Sequence, residues 1–256
     1  MKRGILLIMI LFLTTDLYAV RSTQGFPAKI IGVPSFQFPV IANIDSDEEK
    51  EILFYAGGRL ECWKSDGSIC AWAPFEIKEN VEMVYSPALA DINGDGRLEI
   101  LFGSTDGNFY IMAGDGKLLP GYPKKFGNGY ISTPSAFDLD KDGKPEICFG
   151  TQEQKFYCMK PDGSVLKGFP VKTDSPVTTS GSFAYFGENS ELSIAFGCEN
   201  GSVYVVNTNG RILKNFPFKT HYLITGMPVF ADINDDGKNE LIVASQDYSV
   251  YVLDVK

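Results

Sequence analysis

Three observations predict an all-β fold, a five-bladed β-propeller of four-stranded antiparallel blades. They are a turn-rich and aromatic-rich composition, an internal repeat of about 47 residues, and four short apolar runs divided by tight turns inside each repeat. The 26 Gly and 14 Pro punctuate the chain, while 19 Phe and 12 Tyr favour strands. At 256 residues and 44% hydrophobic content, the chain has ample material for a packed core. An open solenoid of the same repeats is the alternative, and the two ends of the chain argue against it.

The elements follow in chain order. Lys2 and Arg3 precede an apolar run, Ile5 to Leu13, that is short for a bilayer span, and Leu17-Tyr18-Ala19 ends in a small residue suited to signal-peptidase cleavage. Residues 1–19 therefore read as a signal peptide rather than an uncleaved anchor, since the polar stretch Arg21-Ser22-Thr23-Gln24-Gly25 follows at once. Residues 20–256 remain as one propeller domain without another apolar stretch of membrane-spanning length. The protein is expected to be secreted: periplasmic, extracellular or at the cell surface.

Pro39, Pro87, Pro134 and Pro228 each precede a similar apolar stretch at gaps of 48, 47 and 94, with Gly181 midway along the last. Pro27, Pro74, Pro123, Pro170 and Pro217 form a parallel series, four of them closing a Gly/Asn-aromatic-Pro tripeptide such as Gly121-Tyr122-Pro123. In the second unit, strands are expected at Pro87 to Ala90, Leu98 to Ser104, Phe109 to Ala113 and Lys117 to Tyr122, with turns at Asp106-Gly107 and Gly114-Asp115-Gly116. The last unit stops after three strands. Arg21 to Pro27 aligns with the missing fourth, so the N-terminal strand is expected to complete the last blade and close the ring.

The chemistry lies between the first and second strands of the units. Three loops carry side-chain oxygens at positions 1, 3 and 5: Asp91, Asn93 and Asp95; Asp138, Asp140 and Asp142; Asp232, Asn234 and Asp236. Gly96, Gly143 and Gly237 supply a sharp turn at position 6, and Glu99, Glu146 and Glu240 an acid at position 9. The backbone carbonyls of Arg97, Lys144 and Lys238 fit as further ligands, giving the all-oxygen set that calcium prefers; magnesium demands a stricter octahedron. The helix-loop-helix calcium motif is rejected, because its position 12 is Phe102, Phe149 or Val243 here and the flanks are strand-like. Turn chemistry alone is a weak account: 16 of the 32 acidic residues fall in four loops, where like charge repels itself without a cation. The first unit keeps Asn43, Asp45, Asp47 and Glu51 but has Glu48 in place of the glycine, and stands as a fourth, incomplete site. The fourth unit has decayed to Tyr185-Phe186-Gly187-Glu188-Asn189-Ser190, and no metal is expected there.

The run Ala90 to Gly103, with its partners ending Phe149-Gly150 and Phe196-Gly197, resembles the FG-GAP/VCBS repeats of integrin-α-like β-propellers. The resemblance implies a calcium-stiffened propeller of a secreted or surface protein engaged in adhesion or in carbohydrate or protein binding. It also places the metal loops opposite the usual ligand face. That family is best known with seven blades, so a ring of five is small.

The connections expected on the ligand face are aromatic. Trp72, Tyr85, Tyr130, His221, Tyr222 and Tyr248 are candidates to stack on a sugar or anchor a protein, against the alternative that they pack between blades. The net charge of −9 argues against nucleic acid, and one histidine excludes multi-histidine metal chemistry. No catalytic residues are assigned. A monomeric, non-enzymatic calcium-binding module for a glycan or protein is the leading reading; a polysaccharide lyase or hydrolase and a structural subunit of a surface assembly are the alternatives. Of five cysteines, Cys62 and Cys70 bond if their hairpin loop has three residues, while Cys148, Cys158 and Cys198 are expected to be buried thiols.

Overall fold

The computed structural model describes residues 25–26, 29–30 and 38–254 apart from 46, 79 and 80. The signal peptide expected at residues 1–19, and all of the N-terminal strand except Gly25 and Phe26, lie outside the described residues. Every regular element described is a β-strand, and each sheet is an antiparallel meander in chain order.

Sheet 1 holds β1 (Val40–Ala42), β2 (Glu51–Ala56) and β3 (Arg59–Trp63); sheet 2 holds β4 (Ala88–Ala90), β5 (Glu99–Gly103), β6 (Asn108–Met112) and β7 (Lys124–Lys125). In sheet 3 the strands are β8 (Ser135–Phe137), β9 (Glu146–Thr151), β10 (Lys155–Met159) and β11 (Val171–Lys172). β12 (Ser182–Phe186), β13 (Glu191–Gly197), β14 (Ser202–Asn207) and β15 (Phe218–Lys219) form sheet 4, and β16 (Val229–Ala231), β17 (Glu240–Ser245) and β18 (Ser249–Leu253) sheet 5. A bridge between Leu60 and Phe75 stands for the fourth strand of sheet 1.

The second and third strands of the inner sheets are apolar on both faces because each sheet is sandwiched between two others. In sheet 2, Leu101, Phe109 and Ile111 pack forward against Phe149, Tyr157 and Met159, while Ile100, Phe102, Tyr110 and Met112 pack backward against Leu53, Tyr55, Leu60 and Cys62. The same interface recurs between sheets 3 and 4, where Phe156 stacks on Phe196 at 3.9 Å, and between sheets 4 and 5. Each large apolar side chain removed from water in this way contributes roughly 1.5–3 kcal/mol.

Glycines let the interfaces close. A Cβ on Gly103 would lie 2.4 Å from Ile131 Cβ, one on Gly150 2.3 Å from Val177 Cγ1, and one on Gly197 2.5 Å from Ile224 Cγ2. The first strands of neighbouring sheets lie side by side, β1 by β4, β4 by β8 and β12 by β16.

At the start of the described chain, Gly25 abuts the Asp66-Gly67 turn of sheet 1 just as Gly168 abuts the Asn209-Gly210 turn of sheet 4. Gly25 thus stands where the end of a preceding sheet would stand.

The cysteines depart from expectation. Cys62–Cys70 is a disulfide, the outcome expected for a three-residue loop, but so is Cys148–Cys158. Cys148 and Cys158 are directly opposed across β9 and β10 and therefore share a face. Their register follows from a three-residue hairpin loop, Gln152 to Gln154, closed by left-handed Gln154. Only Cys198 is a buried thiol, pushed up to about 12 by burial.

Candidate metal centres

The loops joining β1 to β2, β4 to β5, β8 to β9 and β16 to β17 are loops 1, 2, 3 and 5 after their sheets, and each ends on the glutamate that opens a second strand. Glu51, Glu99, Glu146 and Glu240 are only 1–3% exposed. One oxygen of each accepts a backbone N–H from the start of its own loop: Ile44 at 3.0 Å, Ile92 at 3.1 Å, Leu139 at 2.8 Å and Ile233 at 3.0 Å. A buried carboxylate with so few donors retains acceptor capacity that a cation can satisfy. In loop 1 the second oxygen, Glu51 Oε1, is buried with no hydrogen-bond partner. Burial raises Glu51, Glu99 and Glu146 above the usual carboxylate range, and the nearby aspartates add to the effect.

The loop backbone aims the remaining oxygens. Asp91, Asp138 and Asp232 each accept the N–H of the glycine at position 6, at 2.8, 3.0 and 2.8 Å. Residues 95, 142 and 236 donate to the side chain at position 3 and accept at 2.9 Å from Arg97, Lys144 and Lys238, whose own side chains are exposed. Position 6 is left-handed throughout, at φ 85°, 88° and 84° for Gly96, Gly143 and Gly237, and a Cβ there would meet nothing within 4 Å. Glycine serves its conformation here, not a lack of space.

In loop 1, Asp47 N–H donates to Asp45 and Glu49 N–H to Asp47, both at 2.8 Å, so positions 3 and 5 keep their geometry despite Glu48. Carboxylate oxygens of Asp45, Asp47 and Glu51 lie within 4.8 Å of one another, as do those of Asp138, Asp140 and Glu146; either acidic cluster can hold a metal ion. In loops 2 and 5 position 3 is an asparagine, and Asn93 and Asn234 donate to the second oxygen of Glu99 and Glu240 at 2.9 and 3.0 Å. The decayed fourth loop carries Tyr185 at position 1, with Lys141 5.8 Å above its ring.

Two residues outside the loop motif complete the picture. Lys64 Nζ lies 3.5 Å from Asp45 and 2.7 Å from Asp47, and Lys160 Nζ lies 3.0 Å from Asp140 and 3.6 Å from Asp142. Both directly follow the third strand of their sheet, and the aligned column holds Ala113, Asn207, the last residue of β14, and Asp254 in the other units. Aligning the repeats at that column would have exposed them.

The candidate ligand-binding aromatics separate into three places. Trp72 lies at the metal end: it donates to Gly114 O at 2.8 Å and lines a cleft of about 420 Å³ with Asp45, Glu51, Lys64 and Asp115. Tyr85 and Tyr130 meet with rings 5.3 Å apart, and burial raises both hydroxyls. At the end of sheet 5 opposite its acidic loop, the backbone N–H of His221 donates at 3.0 Å to Asp247, beside exposed Tyr222 and Tyr248. Asp247 also accepts from the Tyr251 hydroxyl at 2.6 Å, which with the backbone donors brings it to about 2.

Fold and loops define an all-β protein of five repeated antiparallel sheets with acidic loops at one end. Residues 91–149, spanning loops 2 and 3, match the FG-GAP-like repeat. No curated protein matches the chain. Among solved structures, it is similar to BBS1N, determined in complex with ARL6DN, at 11% identity and a TM-score of 0.59, covering 88% of this chain and 64% of that one. It is also similar to two computationally designed proteins. Ika8 shows 13% identity and a TM-score of 0.56 over 84% of this chain and 57% of its own. Ika4 shows 15% identity and a TM-score of 0.51 over 70% and 94%. The chain thus spans less than two thirds of the BBS1N and Ika8 chains. At these identities the likeness shows the fold alone. Among the described residues, no helix is long and apolar enough to cross a membrane.

Proposed function

We propose that the protein is a secreted, calcium-stabilised five-bladed β-propeller that binds a glycan or protein without catalysis. The observation that carries this reading is a nearly fully buried glutamate closing an acidic loop at the same place in four of the five sheets. Calcium would be held in loop 2 by Asp91, Asn93, Asp95, the Arg97 carbonyl and Glu99, in loop 3 by Asp138, Asp140, Asp142, the Lys144 carbonyl and Glu146, and in loop 5 by Asp232, Asn234, Asp236, the Lys238 carbonyl and Glu240. Asp45, Asp47 and Glu51 are the fourth set. A bound ion would supply the positive charge that the clustered carboxylates lack, and these loops would then tie the first strand to the second in sheets 1, 2, 3 and 5.

Ring closure is part of the proposal: the expected N-terminal strand, which lies outside the described residues apart from Gly25 and Phe26, would complete sheet 5 beside β18, whose outer edge carries no strand among the described residues. The position of Gly25 on sheet 1 supports this. Two disulfides favour an oxidising compartment, in keeping with export as a monomer. The ligand surface is the end opposite the acidic loops, where His221, Tyr222 and Tyr248 are exposed.

Thermal unfolding with calcium and with chelator tests the metal reading. Each filled site at a hundredfold excess over its dissociation constant stabilises the fold by about 2.7 kcal/mol. An unchanged Tm after chelation overturns it. Glycan-array binding with and without calcium tests the recognition reading, and turnover of a polyuronate would establish an enzyme instead.

A further inference from the structure

We propose that Lys64 and Lys160 are tethered counter-cations of loops 1 and 3, so that the four acidic loops take up calcium with graded affinity. This rests on the calcium reading above and concerns which sites fill first. Loops 1 and 3 carry aspartate at both positions 3 and 5, and each has a lysine ammonium between 2.7 and 3.6 Å from those two carboxylates. Loops 2 and 5 carry asparagine at position 3 and have no lysine in the corresponding column, where Ala113 and Asp254 stand. The ammonium thus accompanies the extra carboxylate, and it lies where a cation bridging positions 3 and 5 would have to bind.

The charges set the order. The donor set of loop 3 holds four carboxylates, reduced to a net −3 by Lys160; that of loop 1 holds three, reduced to −2 by Lys64. Loops 2 and 5 each hold three carboxylates in their donor sets, a net −3 with no lysine in the corresponding column. Loops 2, 3 and 5 therefore fill before loop 1, which fills last, after its lysine has swung aside on its flexible stem. Glu51 Oε1, buried without a partner beneath Lys64, shows that the ammonium satisfies the aspartates but not the innermost donor.

The test is calorimetric titration of the exported chain with calcium chloride, in wild type, Lys64→Met, Lys64→Arg and Lys167→Met, with thermal unfolding in chelator alongside. The wild-type isotherm should need more than one class of site. Lys64→Met should tighten the weakest class at least about tenfold, the factor for removing a unit charge about 6 Å from a divalent ion in a water-like dielectric. It should also lower the calcium-free Tm and enlarge the calcium-induced rise. Lys64→Arg should leave the weakest class weak. Calcium binding that Lys64→Met leaves unaltered, or that Lys167→Met tightens equally, overturns the assignment while the calcium reading stands. No uptake by any variant overturns both.

Discussion

Val203 and Val205 on β14 and Val250 and Val252 on β18 occupy equivalent places 47 residues apart, yet the first pair is fully buried and the second is 68% and 49% exposed. The sheet-4 pair packs against Leu241 and Val243 of the following sheet. The sheet-5 pair belongs to a similar apolar face: Val252 lies in a cross-strand row with Ile242 and Val229, and Val250 opposes Ala244. Each repeat therefore builds the same sticky face, and its burial depends on which sheet follows. At the other end of the array, the backward face of sheet 1 also exposes Ile41, in the row of Ile52 and Trp63. The first and last sheets thus each expose an apolar face among the described residues, and the proposed ring closure would bring the two together.

The largest expected effect comes from breaking each half in turn. Val205→Asp buries an unpaired carboxylate between sheets 4 and 5 and should cost about 3–5 kcal/mol by urea denaturation, within the range of the most damaging core changes. Val252→Asp discriminates. If sheet 5 closes onto sheet 1, this substitution should cost at least about 2 kcal/mol; a cost within about 0.5 kcal/mol, typical of a surface change, would leave the ring open.

A smaller effect sharpens the comparison at a glycine. Gly150→Ala forces a methyl to within 2.3 Å of Val177 and should cost about 1–3 kcal/mol through overpacking. Sheet 5 already has alanine in this column, at exposed Ala244, while sheet 1 fills it with buried Tyr55 against Phe102. A Tm for Gly150→Ala within a degree of wild type would mean that the inter-sheet contact is looser than its geometry.

How much was legible follows the same division between what repeats and what does not. Period and alternation placed the first three strands of the second unit, while its fourth falls at Lys124–Lys125 rather than at Lys117 to Tyr122, where Leu118 makes a single bridge to Met112; the acidic loops stood out because position 1 to position 9 lies within one continuous run. Lys64 and Lys160 escaped notice because they reach their loops across a sheet, from the end of the third strand rather than from the motif. Cys148–Cys158 was missed because the register depends on Gln154 adopting a left-handed turn that its neighbouring repeats give to Gly107 and Gly201. Trp72, read as part of the ligand face, stands beside loop 1 because its indole reaches Gly114 of the next sheet, a contact between repeats that no single repeat reveals.

The smallest expected change in stability is at the same hairpin position of sheet 5. Gly107, Gln154, Gly201 and Tyr248 all have left-handed backbones there, with Tyr248 at φ 67°. A tyrosine held in that region pays about 1–2 kcal/mol relative to an unstrained conformation, while a glycine loses about 0.5–1 kcal/mol of chain entropy on folding. The Tyr248 ring is fully exposed, so no packing compensates its strain. Tyr248→Gly should therefore leave stability unchanged or raise it by no more than about 1 kcal/mol. On the proposed ligand surface, a residue held at such a cost with its ring in solvent would serve recognition rather than the fold. Binding to the glycan or protein ligand should accordingly fall in Tyr248→Gly while the calcium-induced rise in Tm stays at its wild-type value. Retained binding would remove Tyr248 from the ligand surface, and a lowered Tm would show that the ring supports the hairpin instead.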